Sequence, residues 1–249
     1  MRRPILAGNW KMYKTPSETV AFFEQFAPLV ERSAHADIVI APPFTNLAAA
    51  VAGASGTNIQ IGGQNLYWAE EGAYTGEVSA PMLRAAGCQW VIVAHSERRQ
   101  YFGETEETAL KKTRAALEAG LTPIYCVGER SHEREGDKTH DVLARQIQGC
   151  VGQLTADEFG RIAIAYEPCW AIGTGKVATP EIAAAAHKFI RCTLAHQFGD
   201  EAACACRILY GGSVKPDNIK GLMAEDEIDG ALVGGASLDP VSFAAIVNY

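Results

Sequence analysis

The chain has 249 residues, 48% of them hydrophobic, with 24 glycines and 11 prolines, enough apolar matter for a large core and many turns. A formal charge of −7 and a pI near 5.4 exclude a surface built for nucleic acid, because phosphate-backbone affinity needs a basic face. Residues 38–69 carry no charge, but Pro42, Pro43, Asn46, Gly53, Gly56 and Gly62 interrupt them too often for a membrane span. The run after Arg2 and Arg3 is too short for a secretory core, so a cytosolic protein without a membrane partner is expected. The seven cysteines contain no C-x-x-C pair, which suits reduced thiols. Cys204-Ala205-Cys206 has no second pair, and His132 and His140 lie in a charge-rich loop, so no metal site is expected.

In chain order, eight short apolar runs recur at residues 5–10, 37–41, 58–62, 90–94, 122–127, 161–166, 207–210 and 230–233. Helical patterns separate them. Residues 17–31 place Val20, Phe23, Phe26 and Val30 on one face, with Pro28 expected to bend or shorten the helix. Thr105 caps a run that has Glu106 and Glu107 in its first turn, Lys111, Lys112 and Arg114 further along, and Gly120 at its end. Thr179-Pro180 and Asp239-Pro240 each form an N-cap followed by proline at the first helical position. Strands that alternate with helices imply a parallel sheet, and eight such units predict a (β/α)8 TIM barrel, α/β in class, with residues 1–249 as a single domain. A doubly wound open sheet is the competing architecture. It calls for a G-x-G-x-x-G turn after the first strand, where this chain has Gly8-Asn9-Trp10-Lys11.

In a barrel, the loops that follow the strands share one rim. Asn9 and Lys11 follow the first strand, His95, Ser96 and Glu97 the fourth, and Glu167 the sixth. Pro168 has no N–H to donate and ends the sixth strand, and its predecessor is pushed to extended geometry, which suits a rigidly mounted base. Cys169, Trp170, Ala171, Ile172, Gly173, Thr174, Gly175, Lys176, Val177 and Ala178 continue from it with the composition of a lid. Gly211-Gly212-Ser213-Val214 and Gly234-Gly235-Ala236-Ser237 follow the last two strands, and with Gly173 they offer clustered N–H donors suited to a phosphate. Gly173-Thr174-Gly175-Lys176 is no nucleotide P-loop, since Trp170 stands where its first glycine belongs and Val177 follows the lysine.

Taken together, Gly8-Asn9-Trp10-Lys11-Met12, Ala94-His95-Ser96-Glu97-Arg98-Arg99, Ala165-Tyr166-Glu167-Pro168, Trp170 to Lys176, Tyr210-Gly211-Gly212-Ser213-Val214 and Gly234-Gly235-Ala236-Ser237 resemble the triosephosphate isomerase family over nearly the whole chain. The resemblance implies interconversion of dihydroxyacetone phosphate and D-glyceraldehyde 3-phosphate in glycolysis and gluconeogenesis, with no cofactor. It implies Glu167 as the base and His95 as a neutral imidazole that polarises the carbonyl. Lys11 would offset phosphate and enediolate charge, with Asn9 adding a hydrogen bond and Glu97 orienting Lys11. Phosphate would meet Asn9, Lys11, Gly173, Ser213, Gly234 and Gly235, while the stretch from Pro168 to Ala178 would shield the intermediate from water. Cys169 stands where valine is common in this lid, and Val177 where threonine is common.

Residues 64–79 are long for a connection after a strand and include Leu66, Tyr67, Trp68 and Tyr74. In the family this loop enters a second subunit, so the resemblance implies a homodimer in which Gln64 and Asn65 belong to the interface loop and Thr75 approaches Asn9, Lys11 and His95. Two other classes compete for the same residues. One is a Schiff-base aldolase using Lys11, the other a silent barrel that only binds phosphorylated ligands or a protein.

Overall fold

The computed structural model describes residues 2–171 and 178–249. Among them eight parallel strands pair in sequence order: β1 (Ile5–Asn9), β2 (Asp37–Ala41), β3 (Ile59–Gly63), β4 (Trp90–Val93), β5 (Thr122–Val127), β6 (Ala163–Tyr166), β7 (Arg207–Tyr210) and β8 (Gly230–Val233). β8 pairs with β1, so the sheet closes and the (β/α)8 barrel expected from the sequence is the fold. A Cβ at Gly230, whose φ is +137°, would lie 1.9 Å from the carbonyl oxygen of Ile5, so only glycine lets this seam close.

Successive strand residues face opposite sides, and this splits each strand between two cores. Ile5, Val39, Ile92, Ile124, Leu209 and Leu232 belong to the inner cluster, whereas Leu6, Ile38, Ile40, Val91, Ile164 and Ile208 pack against the helices. Towards the strand ends the inner residues shrink to Ala41, Cys126 and Ala165. The small fillers leave room above them for the side chains of the rim.

Some boundaries differ from those expected, each for a local reason. Trp10 and Ala94 drop out of the first and fourth strands because Lys11 and Ala94 have φ of +51° and +61°, which turns the chain away from the ladder. Asn58 lies before β3 because its side-chain amide donates to the carbonyls of Val30 and Ser33. Arg161 likewise precedes β6, its guanidinium donating to the Leu117 carbonyl.

The first helix, Pro16–Val30, begins with a capping box between Thr15 and Glu18 and runs through Pro28 to the end of its last turn. Pro28 is exposed, so the carbonyl it leaves without an N–H partner faces water. Its buried face is Thr19, Phe22, Phe23, Phe26 and Val30, while Val20 is 47% exposed and lies off that face. Phe22 takes the place assigned to Val20 because Trp10 meets it edge-on at 4.8 Å, and Phe26 stacks on Phe243 of the last helix at 5.2 Å. Helix Glu106–Glu118 has the predicted Thr105 cap and ends before Gly120, φ +75°. Lys112 is not a surface charge of that helix. It is buried, and its Nζ donates to Asn65 Oδ1 at 2.7 Å and pairs with Glu104 at 2.9 Å. Thr179 and Asp239 cap their helices as expected, accepting from the N–H groups of Ile182 and Ser242.

Candidate active site

Glu167 follows β6, and its own N–H donates to the Val127 carbonyl at 2.7 Å, so the base hangs from the neighbouring strand as well as its own. Its carboxylate is nearly completely buried and accepts from Ser96 N–H at 2.9 Å, Ser96 Oγ at 3.1 Å and His95 Nε2 at 2.9 Å. Burial pushes its pKa up, but His95 and the two Ser96 donors outweigh burial and leave it below the ordinary carboxylate value.

His95 is the N-cap of helix Ser96–Tyr101, and its Nδ1 accepts the Glu97 N–H at 3.2 Å. An imidazole that accepts at Nδ1 carries its proton on Nε2 and is uncharged, and the positive helix end disfavours a second proton. Burial favours the neutral ring too, yet the Glu167 carboxylate raises the His95 pKa above its usual value. That rise lasts only while the carboxylate stays beside the ring.

Lys11 has φ +51°, a conformation a lysine adopts only when held. Its N–H donates to Asn9 Oδ1 at 3.0 Å, and its carbonyl accepts from Gln64 Nε2 at 2.8 Å. So fixed, it pairs with Glu97 at 2.5 Å and runs beside Gly234, where an added Cβ would sit 3.5 Å from Lys11 Cε. A cavity of about 590 Å³ unites Asn9, Lys11, His95, Glu167, Ser213 and Gly234. Around Gly235 the space is open, whereas a Cβ on Gly211 would meet Glu167 Cγ at 2.9 Å. The two glycine turns therefore bring bare backbone against the base on one side and the cavity on the other.

Of the expected lid, Pro168, Cys169, Trp170, Ala171 and Ala178 are described, whereas Ile172, Gly173, Thr174, Gly175, Lys176 and Val177, with the phosphate role of Gly173, lie outside the described residues. Residue Glu129, which the sequence did not single out, anchors the near end of that stretch. Its carbonyl accepts the Cys169 N–H at 3.1 Å, and Oε1 accepts from Trp170 Nε1 at 2.9 Å and from the Tyr166 hydroxyl at 3.1 Å. Cys126 belongs to the inner core and Cys169 is pushed up to about 12 by burial, so neither is a thiolate nucleophile. Ser96 stood inside a quoted motif without a role, and its place at the first turn after His95 was the available signal. Among the described residues no group of three or more His, Cys, Asp or Glu could hold a metal ion, and no helix is long and apolar enough to cross a membrane.

Within residues 64–79, Gln64 is engaged inside its own chain, donating to Lys11 and to the Ala41 carbonyl, and Asn65 accepts from Lys112. Thr75 is exposed. Tyr67 stacks on Trp68 at 4.1 Å and meets Tyr74 at 4.5 Å. Met12, Tyr13, Tyr74, Met82, Tyr101 and Phe102 are large apolar side chains left exposed.

A closed (β/α)8 barrel that collects a carboxylate, an imidazole and an ammonium over one cavity belongs to the class of barrels with a rim site for proton chemistry. The family profile described as Triosephosphate isomerase matches residues 4–249, and the chain belongs to that family. It is 66% identical to the triosephosphate isomerase of Solibacter usitatus and 56% to that of Geotalea uraniireducens, over all of this chain and 99–100% of theirs. The crystal structure of triosephosphate isomerase from Bartonella henselae superposes with a TM-score of 0.89 at 41% identity, covering 99% of this chain and 98% of that one.

Proposed function

We propose that the chain interconverts dihydroxyacetone phosphate and D-glyceraldehyde 3-phosphate by moving a proton between adjacent carbons through an enediolate. The observation that carries this reading is the 2.9 Å approach of Glu167 to His95 over a cavity that also contains Lys11 and the Gly234-Gly235 turn. Phosphate sits against Ser213, Gly234 and Gly235, with Lys11 and Asn9 at the reacting end. Glu167 leaves Ser96, takes the proton from the carbon next to the carbonyl, and returns it to the neighbouring carbon. His95 gives its Nε2 proton to the carbonyl oxygen as negative charge gathers there and recovers one from the neighbouring hydroxyl, whose oxygen becomes the new carbonyl, while Lys11, held by Glu97, offsets the charge. A positioned base contributes roughly 10²–10⁴-fold, about 3 to 5 kcal/mol, so orientation and electrostatics supply the rest.

The working unit is a homodimer in which the exposed apolar side chains around Met12, Tyr74, Met82 and Phe102 are covered by a second copy. Sedimentation that finds a fully active monomer at nanomolar concentration overturns this. The reaction itself is tested by running it in deuterium oxide. Solvent deuterium on carbon of recovered triose phosphate is the expected result, and its absence with turnover excludes exchange through an enediolate.

A further inference from the structure

Ala94 joins β4 to His95 with φ +61°, in the left-handed region that alanine avoids. Its carbonyl is held by Arg99, whose Nε donates to it at 3.0 Å. The same guanidinium reaches the next strand, where Nη2 donates to the Tyr125 hydroxyl oxygen at 3.1 Å and to the Cys126 carbonyl at 3.3 Å. Nη1 donates to Glu106 at 3.3 Å, and the Tyr125 hydroxyl in turn donates to the Gln146 carbonyl at 2.7 Å. β5 also braces the backbone of the base, since Val127 accepts the Glu167 N–H and a Cβ on Gly128 would lie 1.8 Å from the Glu167 carbonyl oxygen.

We propose that Arg99 is a positioning residue for the reaction: it sets the His95 to Glu167 distance by clamping the left-handed Ala94 against β5. This rests on the isomerase reading of the site. Without the clamp, Ala94 relaxes toward negative φ, the peptide entering His95 rotates, and Nε2 moves relative to the carbonyl it must polarise. A shift of about 1 Å in such a group costs up to roughly 10²-fold in rate. Lysine cannot replace the clamp, because one ammonium does not span two carbonyls and a hydroxyl as a planar fork does.

The test is steady-state kinetics on Arg99→Lys, alone and combined with Ala94→Gly. The unsubstituted chain is assayed first, since a lack of isomerisation there refutes the isomerase reading and not the part played by Arg99. Folded Arg99→Lys is expected to lose about tenfold in kcat with KM within about twofold. Ala94→Gly should restore much of that loss, because glycine accepts φ +61° without being held. Glu106→Gln, which removes the ion pair and leaves the Ala94 bond, should keep kcat. A folded Arg99→Lys with unchanged kcat, a loss confined to KM, or no recovery with Ala94→Gly overturns the proposal. If Arg99→Lys does not fold, Tyr125→Phe replaces it. A smaller fall in kcat that Ala94→Gly repairs supports the clamp, and an unchanged kcat overturns it.

Discussion

The Glu167 carboxylate accepts from both donors of Ser96 while lying 2.9 Å from His95 Nε2, so the base rests against the end of the helix that His95 caps. One carboxylate therefore controls both its own availability and the charge of its neighbour.

Glu167→Gln removes the carboxylate that takes the proton from carbon in the proposed reaction. Turnover should fall by roughly 10²–10⁴-fold while binding of a phosphate ester changes little. The same substitution removes the charge that raises the His95 pKa, so NMR titration should find that pKa lower than in the unsubstituted protein. A His95 pKa that stays put or rises contradicts the assignment.

Gln64→Met keeps the size of the side chain and deletes the donor to the Lys11 carbonyl. Strain of roughly 1–3 kcal/mol is then free to relax, and the ammonium withdraws from the cavity. A fall of about tenfold in kcat/KM is expected, carried mainly by KM. Kinetics equal to the parent protein would show that Lys11 keeps its conformation unaided.

Lys11 is held by Glu97 as a charge, and no carbon–nitrogen bond enters the proposed reaction. Borohydride added with substrate should leave Lys11 unlabelled by mass spectrometry. Reductive labelling at Lys11 would favour the Schiff-base aldolase.

His187 is fully buried, its Nδ1 donates to the Glu227 carbonyl, and its Nε2 has no hydrogen-bond partner among the described residues. Burial lowers its pKa from 6.5 to about 4. The unfolded chain therefore takes up this proton first as pH falls. The contribution to stability is complete above about pH 6.5 and is lost between there and about pH 4, in total about 3 kcal/mol. Urea unfolding at pH 7.5 and pH 5 should show a smaller acid loss for His187→Asn than for the parent. Equal losses refute the attribution.

Asp229 accepts from Arg191 Nη2 at 2.7 Å and from the Ile208 N–H at 2.9 Å, and it also pairs with Arg2. Removing it leaves Arg191 buried beside fewer charges, so Asp229→Ala should cost about 3–5 kcal/mol in unfolding free energy. The folded fraction should keep its kcat, because Asp229 lies before β8, at the end of the barrel opposite the rim. A loss below 1 kcal/mol would mean that Arg191 is satisfied by the Glu227 carboxylate and its carbonyl partners without Asp229.

Barrel closure was legible because each strand is a short apolar run and Thr105, Thr179 and Asp239 announce the starts of their helices between them. The misplacement of Val20 has a plain cause. Periodicity identifies a helix but leaves its rotation to the aromatic partners, here Trp10 and Phe243, that come from other elements. The burial of Lys112 was hidden for a similar reason, as nothing local signals that Glu104 and Asn65 converge on it.

By itself the sequence determined which residue types stand at the ends of five strands: Asn9 and Lys11, His95, Glu167 and the two glycine turns. Proline, glycine and capping residues punctuate the chain there through local sterics. Only the tertiary structure decided that Ser96 holds the base, that Gln64 and Arg99 hold strained carbonyls, and that Glu129 anchors the stretch after Pro168. The Arg99 to Ala94 bond lies within one connection and is tied to β5 through the Cys126 carbonyl, whereas the other contacts join residues carried by different strands and loops, and their geometry exists only once eight strands have closed into one ring.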